Sequence, residues 1–428
     1  MINRLVLSIW LVLFAALFRI AAVSAQIKDT IALTLADAEQ QLLQKNIPLL
    51  VQRYSIDSAK AGIITAKLYD NPQVTYENVL YNHTDNRWFD FSYNGENSLQ
   101  VTQLIKLAGK RNRAVLLAQS GVKLNEYQFY DILRTLRFSL HDNFYDLYYK
   151  QRSLDTYASQ IAFLQTVVTV FTEQRDLGNI APKEVIRIKS MLYDLQHDQL
   201  ELQQDIQQAQ SDLALLIRIP TGIAIVPQLS PGDTVAPATF QFNFEALLDT
   251  AKQNRYDLKI AQETVRYNQL NLRLQKSIAV PDLQVGFSYD KQGNFERNYN
   301  GLNVSMPIPF FNRNQGNIKT AKILVESSKL QLQGEEDELA HEVMNSLQLV
   351  LRTEKLLNEF DPGFENDYTK MMKEVEKNFR LHNIGLLEFI DLYDAYRNNV
   401  LKMNELKYDR LHALELINFS TGSLIFHP

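Results

Sequence analysis

Seven histidines and no cysteine bound the chemistry open to this chain. Without a thiol there can be no disulfide, thiolate zinc site, cysteine nucleophile or lipidated N-terminal cysteine. His83, His141, His197, His341, His382, His412 and His427 are scattered, and no two stand four residues apart. His341-Glu342 therefore lacks the second histidine of a zinc-protease helix. No nucleophile elbow, phosphate loop or dinucleotide fingerprint occurs. The acidic run Glu335-Glu336-Asp337-Glu338 reads as a solvated helix face. The residues predict no catalytic group, no metal site and no cofactor, and an enzyme is the weakest hypothesis. With 44 Lys plus Arg against 49 Asp plus Glu, charge is too balanced for a nucleic-acid binder.

Function must then lie in the elements. The chain has 15 Gly and 12 Pro in 428 residues, about half of average usage, which favours long regular elements over many tight turns. Residues 1–25 carry Arg4, an apolar run from Leu5 to Phe18, and Val23-Ser24-Ala25 ahead of Gln26. That order predicts a cleavable secretory signal, with a mature chain from Gln26. The run is short of the roughly 20 apolar residues needed to span a bilayer. No later stretch is long and apolar enough, so a second crossing would require strands.

The chain is duplicated. A shift of 204 residues aligns Leu177, Asn179, Ile180, Glu184 and Ile186 with Leu381, Asn383, Ile384, Glu388 and Ile390, and shifts of 203 to 209 align Pro72 with Pro281 and Ile105 with Ile308. The expected division is a first repeat over 26–218, a proline-rich connector over 219–241 and a second repeat over 242–428. Each repeat should run helix, strand, strand, very long helix, return helix. Residues 34–68 read as the first helix. Period-two alternation predicts strands at about 72–81, 97–107, 282–291 and 301–308, with Val285, Phe287, Leu302 and Val304 on one apolar face and Ser288 and Ser305 on the polar one. Lys110 to Asp176 holds no proline and predicts a helix near 100 Å long at about 1.5 Å per residue. Its return partner repeats apolar residues at three-four spacing from Val185 to Leu216, a coiled-coil seam. The return helix of the second repeat shows two neighbouring stripes, led by Phe389 and Ile390, which suits two helical neighbours, as in the wall of a tube. Two hairpins cannot close a barrel, whose minimum is about eight strands. Either they cover a soluble core or several chains pool their strands.

These elements, with the junctions Met306-Pro307-Ile308-Pro309-Phe310-Phe311-Asn312-Arg313-Asn314 and Leu107-Ala108-Gly109-Lys110-Arg111, resemble the outer membrane efflux protein family, the TolC-like outer membrane factors, in its heavy-metal efflux (CusC-like and CzcC-like) branch. The resemblance covers essentially the whole mature chain. It implies a mainly α protein with transmembrane β strands: a homotrimer with a 12-stranded outer-membrane β-barrel continued by a long periplasmic α-helical barrel. It implies a passive export duct, the outer membrane channel of a tripartite system with an inner-membrane pump and a periplasmic adaptor, moving heavy-metal cations or drugs. Its partners would be itself, the adaptor, the pump and outer membrane lipid, with no nucleic acid. The turns Gly178-Asn179-Ile180-Ala181 and Asn383-Ile384-Gly385-Leu386 would dock the adaptor. Asp391 and Asp394, which share a helix face, fall on the positions of paired acidic residues at the periplasmic mouth; Arg187 and Ser190 are their counterparts in the first repeat. Two departures stand out: the absent lipidated cysteine, and Asp361-Pro362-Gly363, which should kink or break the second long helix. A periplasmic coiled-coil adaptor or scaffold without a pore is the competing reading.

Overall fold

The structure is a computed structural model and describes residues 29–426, except 84, 94, 230–242, 294–295, 360–363 and 382. The secretory signal, Asp361-Pro362-Gly363, His382, His427 and most of the proline-rich connector lie outside the described residues. After β1 (Asp29–Thr34) come α1 (Leu35–Lys45) and α2 (Ile47–Lys67), then β2 (Gln73–Asn78), a small hairpin of β3 (Tyr81–Asn82) and β4 (Arg87–Trp88), and β5 (Asn97–Ile105). The long helix α3 (Lys110–Asp176) turns into α4 (Pro182–Ile217), followed by β6 (Ile223–Gln228). The second half repeats this order as α5 (Phe244–Asn254), α6 (Tyr256–Ile278), β7 (Leu283–Asp290), β8 (Tyr299–Ser305), α7 (Gln315–Glu359), α8 (Phe364–Arg380) and α9 (Leu386–Thr421).

The single helix expected over 34–68 is two. Asn46 closes α1 and opens α2, its side chain accepting a hydrogen bond from the Leu49 amide at 3.2 Å, with Pro48 in the first turn. A capping residue in extended conformation outweighs the run of helix formers around it. At the start of α1, Thr34 and Asp37 form a capping box. The helix α3 runs unbroken for 67 residues; its return partner α4 and the return helix of the second repeat, α9, are each 36 residues long. Both begin at positions related by the 204-residue shift.

Two features have no counterpart in the sequence reading. β1 pairs in parallel with β6, inside the stretch read as a connector, and β3–β4 extends the first hairpin. The main sheet has the order β2-β5-β7-β8, antiparallel throughout. Beneath it stand α2, α3, α6 and α7 side by side; further down, α3 lies between α4 and α9, and α9 against α7 and α8. Three apolar cores follow this layout. One gathers α1, α3, α4 and the β1–β6 pair around Leu42, Phe144 and Leu213. A second joins both hairpin ends, and a third packs α5, α7 and α9 around Leu258, Val343 and Ile417. Among the described residues no helix is long and apolar enough to cross a membrane.

Candidate functional site

The strand register sorts residues onto two faces, because directly paired residues in an antiparallel sheet point the same way. Val74 pairs with Val101, Val101 with Phe287 and Phe287 with Leu302. Val285 pairs with Val304 on that same face. The opposite face takes Thr75, Gln100, Ser288 and Gly301 in one row, and Thr102, Gly286 and Asn303 in another. The apolar face is uncovered: Leu302 is 75% exposed and Val304 61%. Phe287 is exposed and Val285 half-buried. Both outer strands, β2 and β8, end the sheet without a further strand among the described residues.

At the far end, the two hairpins are held together by rings. Phe379 stacks on Phe389 at 4.1 Å between centroids and on Phe171 at 5.5 Å, while Tyr393 donates from its hydroxyl to the Gln160 carbonyl at 3.0 Å. The turns that follow are built alike. Asn179 donates its amide N–H to the Gln174 carbonyl and Asn383 does the same to Asn378, each at 2.9 Å. Gly178 sits at φ +79° with open space around it, a left-handed position that costs other residues energy. Asn179, Ala181, Asn383 and Gly385 are exposed, whereas Ile180, Ile384 and Leu386 are half-buried against the aromatic core.

Asp391 is exposed and Asp394 half-buried on α9. Asp394 faces Arg397, one turn along, at 3.5 Å. Burial raises the Asp394 pKa above the ordinary carboxylate value; Arg397 opposes this, and Asp391 and Asp194 of α4 add to it. Arg397, three residues along the same helix, and Asp194 are thus part of this charged group; three-residue spacing could have pointed to Arg397, whereas nothing local pointed to Asp194. Arg187 is exposed and makes no ion pair within the chain among the described residues.

Between these ends lies a buried ionic belt. His141, 4% exposed, has Glu39 Oε1 2.7 Å from Nε2 and Glu415 Oε1 3.0 Å from Nδ1. Burial opposes its charge, yet the two carboxylates outweigh that and hold its pKa up at about 9. Arg255 is buried against Asp257, Glu342 and the Ser420 carbonyl. Arg134 reaches Asp131, Asp257 and the Phe419 carbonyl at 2.8, 3.1 and 2.9 Å. A cavity of about 300 Å3 beside this belt is lined by Arg134, Arg137, Phe138 and Tyr256 among others. No group of three or more His, Asp or Glu that could hold a metal ion is found among the described residues.

No protein-family model matches the chain. It is 21% identical over 289 residues to the cobalt-zinc-cadmium resistance protein CzcC of Cupriavidus metallidurans, a match that covers 68% of this chain and 66% of that protein, just under two thirds of the relative's length. Among solved structures, CusC superposes with a TM-score of 0.71 at 14% identity, over 91% of this chain and 92% of that one. The Campylobacter jejuni CmeC outer membrane channel gives 0.70 at 13% identity, over 91% and 85%. The open state of the Neisseria gonorrhoeae MtrE outer membrane channel gives 0.66 at 13%, over 91% and 89%. The fold is that of the TolC-like outer membrane channels, as the junctions and the duplicated order of elements implied.

Proposed function

We propose that the protein is the outer membrane channel of a tripartite efflux system: a passive duct in the outer membrane that extends into the periplasm. The observation that carries this reading is the four-stranded sheet, apolar and uncovered on one face, polar on the other, and open at both edges. In water such a face and such edges would be an aggregation hazard. In a bilayer they are a barrel segment. An even number of alternating strands lets β8 of one copy meet β2 of the next in antiparallel fashion, so identical copies close a barrel without a mismatched seam. Three copies give the 12 strands that the resemblance implies, and one chain contributes its two repeats to the wall. The adaptor or scaffold reading gives the apolar face nothing to meet.

Within this reading, Val285, Phe287, Leu302 and Val304 face lipid. The turns at Gly178–Ala181 and Asn383–Leu386 dock a periplasmic adaptor, which links the duct to an inner-membrane pump. Asp391 and Asp394 line the periplasmic mouth, where six carboxylates from three copies favour cations, and Arg187 pairs across helices in the closed state. The likeness to a cobalt-zinc-cadmium resistance protein supports metal cations as cargo. The duct itself catalyses no reaction.

The test is mass and conductance. Protein extracted from membranes with detergent should have the mass of three chains and form cation-selective pores in planar bilayers. A stable, soluble monomer would overturn the channel reading.

A further inference from the structure

The four junctions between strands and long helices lie at one end of the sheet, because the register sets Gln73 opposite Thr102, Ile105 opposite Leu283 and Gln284 opposite Ser305. Residues 65–72, 104–113, 274–283 and 306–315 form these junctions and hold seven Lys or Arg against two Asp, whereas the whole chain has 44 Lys plus Arg against 49 Asp plus Glu. Aromatic side chains stand uncovered among them: Phe311 is 94% exposed, Tyr69 78% and Phe310 73%. Cations mixed with exposed rings at the edge of an apolar face suit a membrane interface. Basic residues at that level attract anionic lipid.

One part of this collar is shaped as a site. Between the end of α2, the end of β5 and the start of α3 lies a cavity of about 460 Å3, lined by Tyr69, Asp70, Gln103, Ile105, Lys106 and Arg111 among others. Gln103 pairs with Val285 and Ile105 with Leu283, so both belong to the apolar face, and the cavity adjoins the edge of that face nearest the helices. Three cations of this junction are committed: Lys110 to Asp282, Arg113 to the Arg273 carbonyl at 2.9 Å and Lys106 to Asp70 at 3.1 Å. Arg111 makes no ion pair among the described residues, and its guanidinium lies 4.1 Å from the centre of the Tyr69 ring. A ring holds a guanidinium without consuming its N–H donors, which leaves the fork that takes two oxygens of a phosphate. The second repeat has no such group. Asn314 stands six residues beyond Ile308, as Arg111 stands six beyond Ile105, and its side chain donates to the Gln275 carbonyl at 2.8 Å.

We propose that this cavity binds the phosphate of an anionic glycerophospholipid, with Arg111 as its bidentate ligand, Lys106 as a second cation and the acyl chains running past Ile105 along the apolar face. Asp70 already holds Lys106, so Arg111 is the stronger anchor. On the barrel reading above, on which this site depends, each chain takes one lipid and three copies take three.

Native mass spectrometry of the detergent-purified protein tests the site. Dioctanoyl phosphatidylglycerol should add up to three molecules per assembly and bind about tenfold more tightly than zwitterionic dioctanoyl phosphatidylethanolamine. That comparison needs no variant, so it decides even where a variant fails to assemble. Arg111→Gln should lower the phosphatidylglycerol affinity about tenfold, the loss of one charge-assisted pair. Arg111→Lys, which keeps the charge but not the fork, should fall between, and Arg313→Gln, in the collar but outside the cavity, should leave the affinity as it is. Inorganic phosphate that competes as well as the lipid would make this a site for free phosphate and overturn the lipid assignment. Equal binding of the two lipids, or equal losses in Arg111→Gln and Arg313→Gln, would reduce the collar to diffuse charge and overturn the site while leaving the channel reading standing. A monomeric mass for the unaltered protein would overturn both.

Discussion

His141 is the residue on which burial and charge conflict most openly. It carries a proton in the interior because Glu39 and Glu415 flank it, and its raised pKa makes stability depend on pH in a defined direction. A folded-state value of about 9 against an ordinary 6.5 means that its contribution is complete below pH 6.5 and is lost as pH rises through 9. The shift corresponds to stabilisation on the order of 3 kcal/mol. Thermal melts of the detergent-solubilised protein should therefore fall between pH 6.5 and 9. In His141→Gln the melting temperature should start lower, and that alkaline fall should vanish. Asp394 is shifted upward too, but in a carboxyl the protonated form is the neutral one. Its pKa is raised, so the carboxylate is neutralised at a higher pH than a free aspartate on acidification. Reversal potentials in planar bilayers should show cation selectivity weakening as pH falls, and Asp394→Asn should remove that step.

At the scale of elements, the strands make the sharpest distinction. Val304 and Ser305 are neighbours on β8, one on each face of the sheet. In a bilayer, Val304→Arg should cost about 2 to 4 kcal/mol near the midplane, while Ser305→Arg should be tolerated. Urea-dependent folding into lipid vesicles would measure both. Equal damage from the two would mean that neither face meets lipid. The period-two pattern made these faces legible in the sequence, because alternation is a local consequence of the pleat. The break at Asn46 was less legible. Its signals, a capping residue and Pro48 two positions on, are short and sit inside a run of strong helix formers. The β1–β6 pair left almost no signal, since its partners are separated by the whole first repeat.

At the scale of the whole molecule, the two hairpin ends share one aromatic core, so their turns are presented together rather than as separate arms. A photo-crosslinking residue at Asn179 or Asn383 should capture a periplasmic adaptor in cells. Capture only from the 219–241 connector would move that interface to the belt around the helices. Loosening the shared core should affect both turns at once. Phe379→Ala removes a stacked ring that touches both hairpins and should cost about 3 to 5 kcal/mol. It should weaken crosslinking at Asn179 and Asn383 in parallel.

Taken alone, the sequence determined the order of the main-sheet strands and the long helices, the duplication, and which residues of each strand share a face. These are properties of spacing: proline-free runs, three-four and two-residue periods, and a shift that recurs through both halves. Tertiary structure decided which of those faces are covered. It joined β5 to β7 and so made two hairpins into one sheet with two open edges. It buried His141 between carboxylates contributed by α1 and α9, which lie more than three hundred residues apart in sequence. It brought Asp194 of α4 to Asp394, where the spacing of the aspartates had suggested only Asp391. Periodicity records how a segment is half-buried; the identity of the neighbour that buries it depends on contacts between distant segments, which no local pattern encodes.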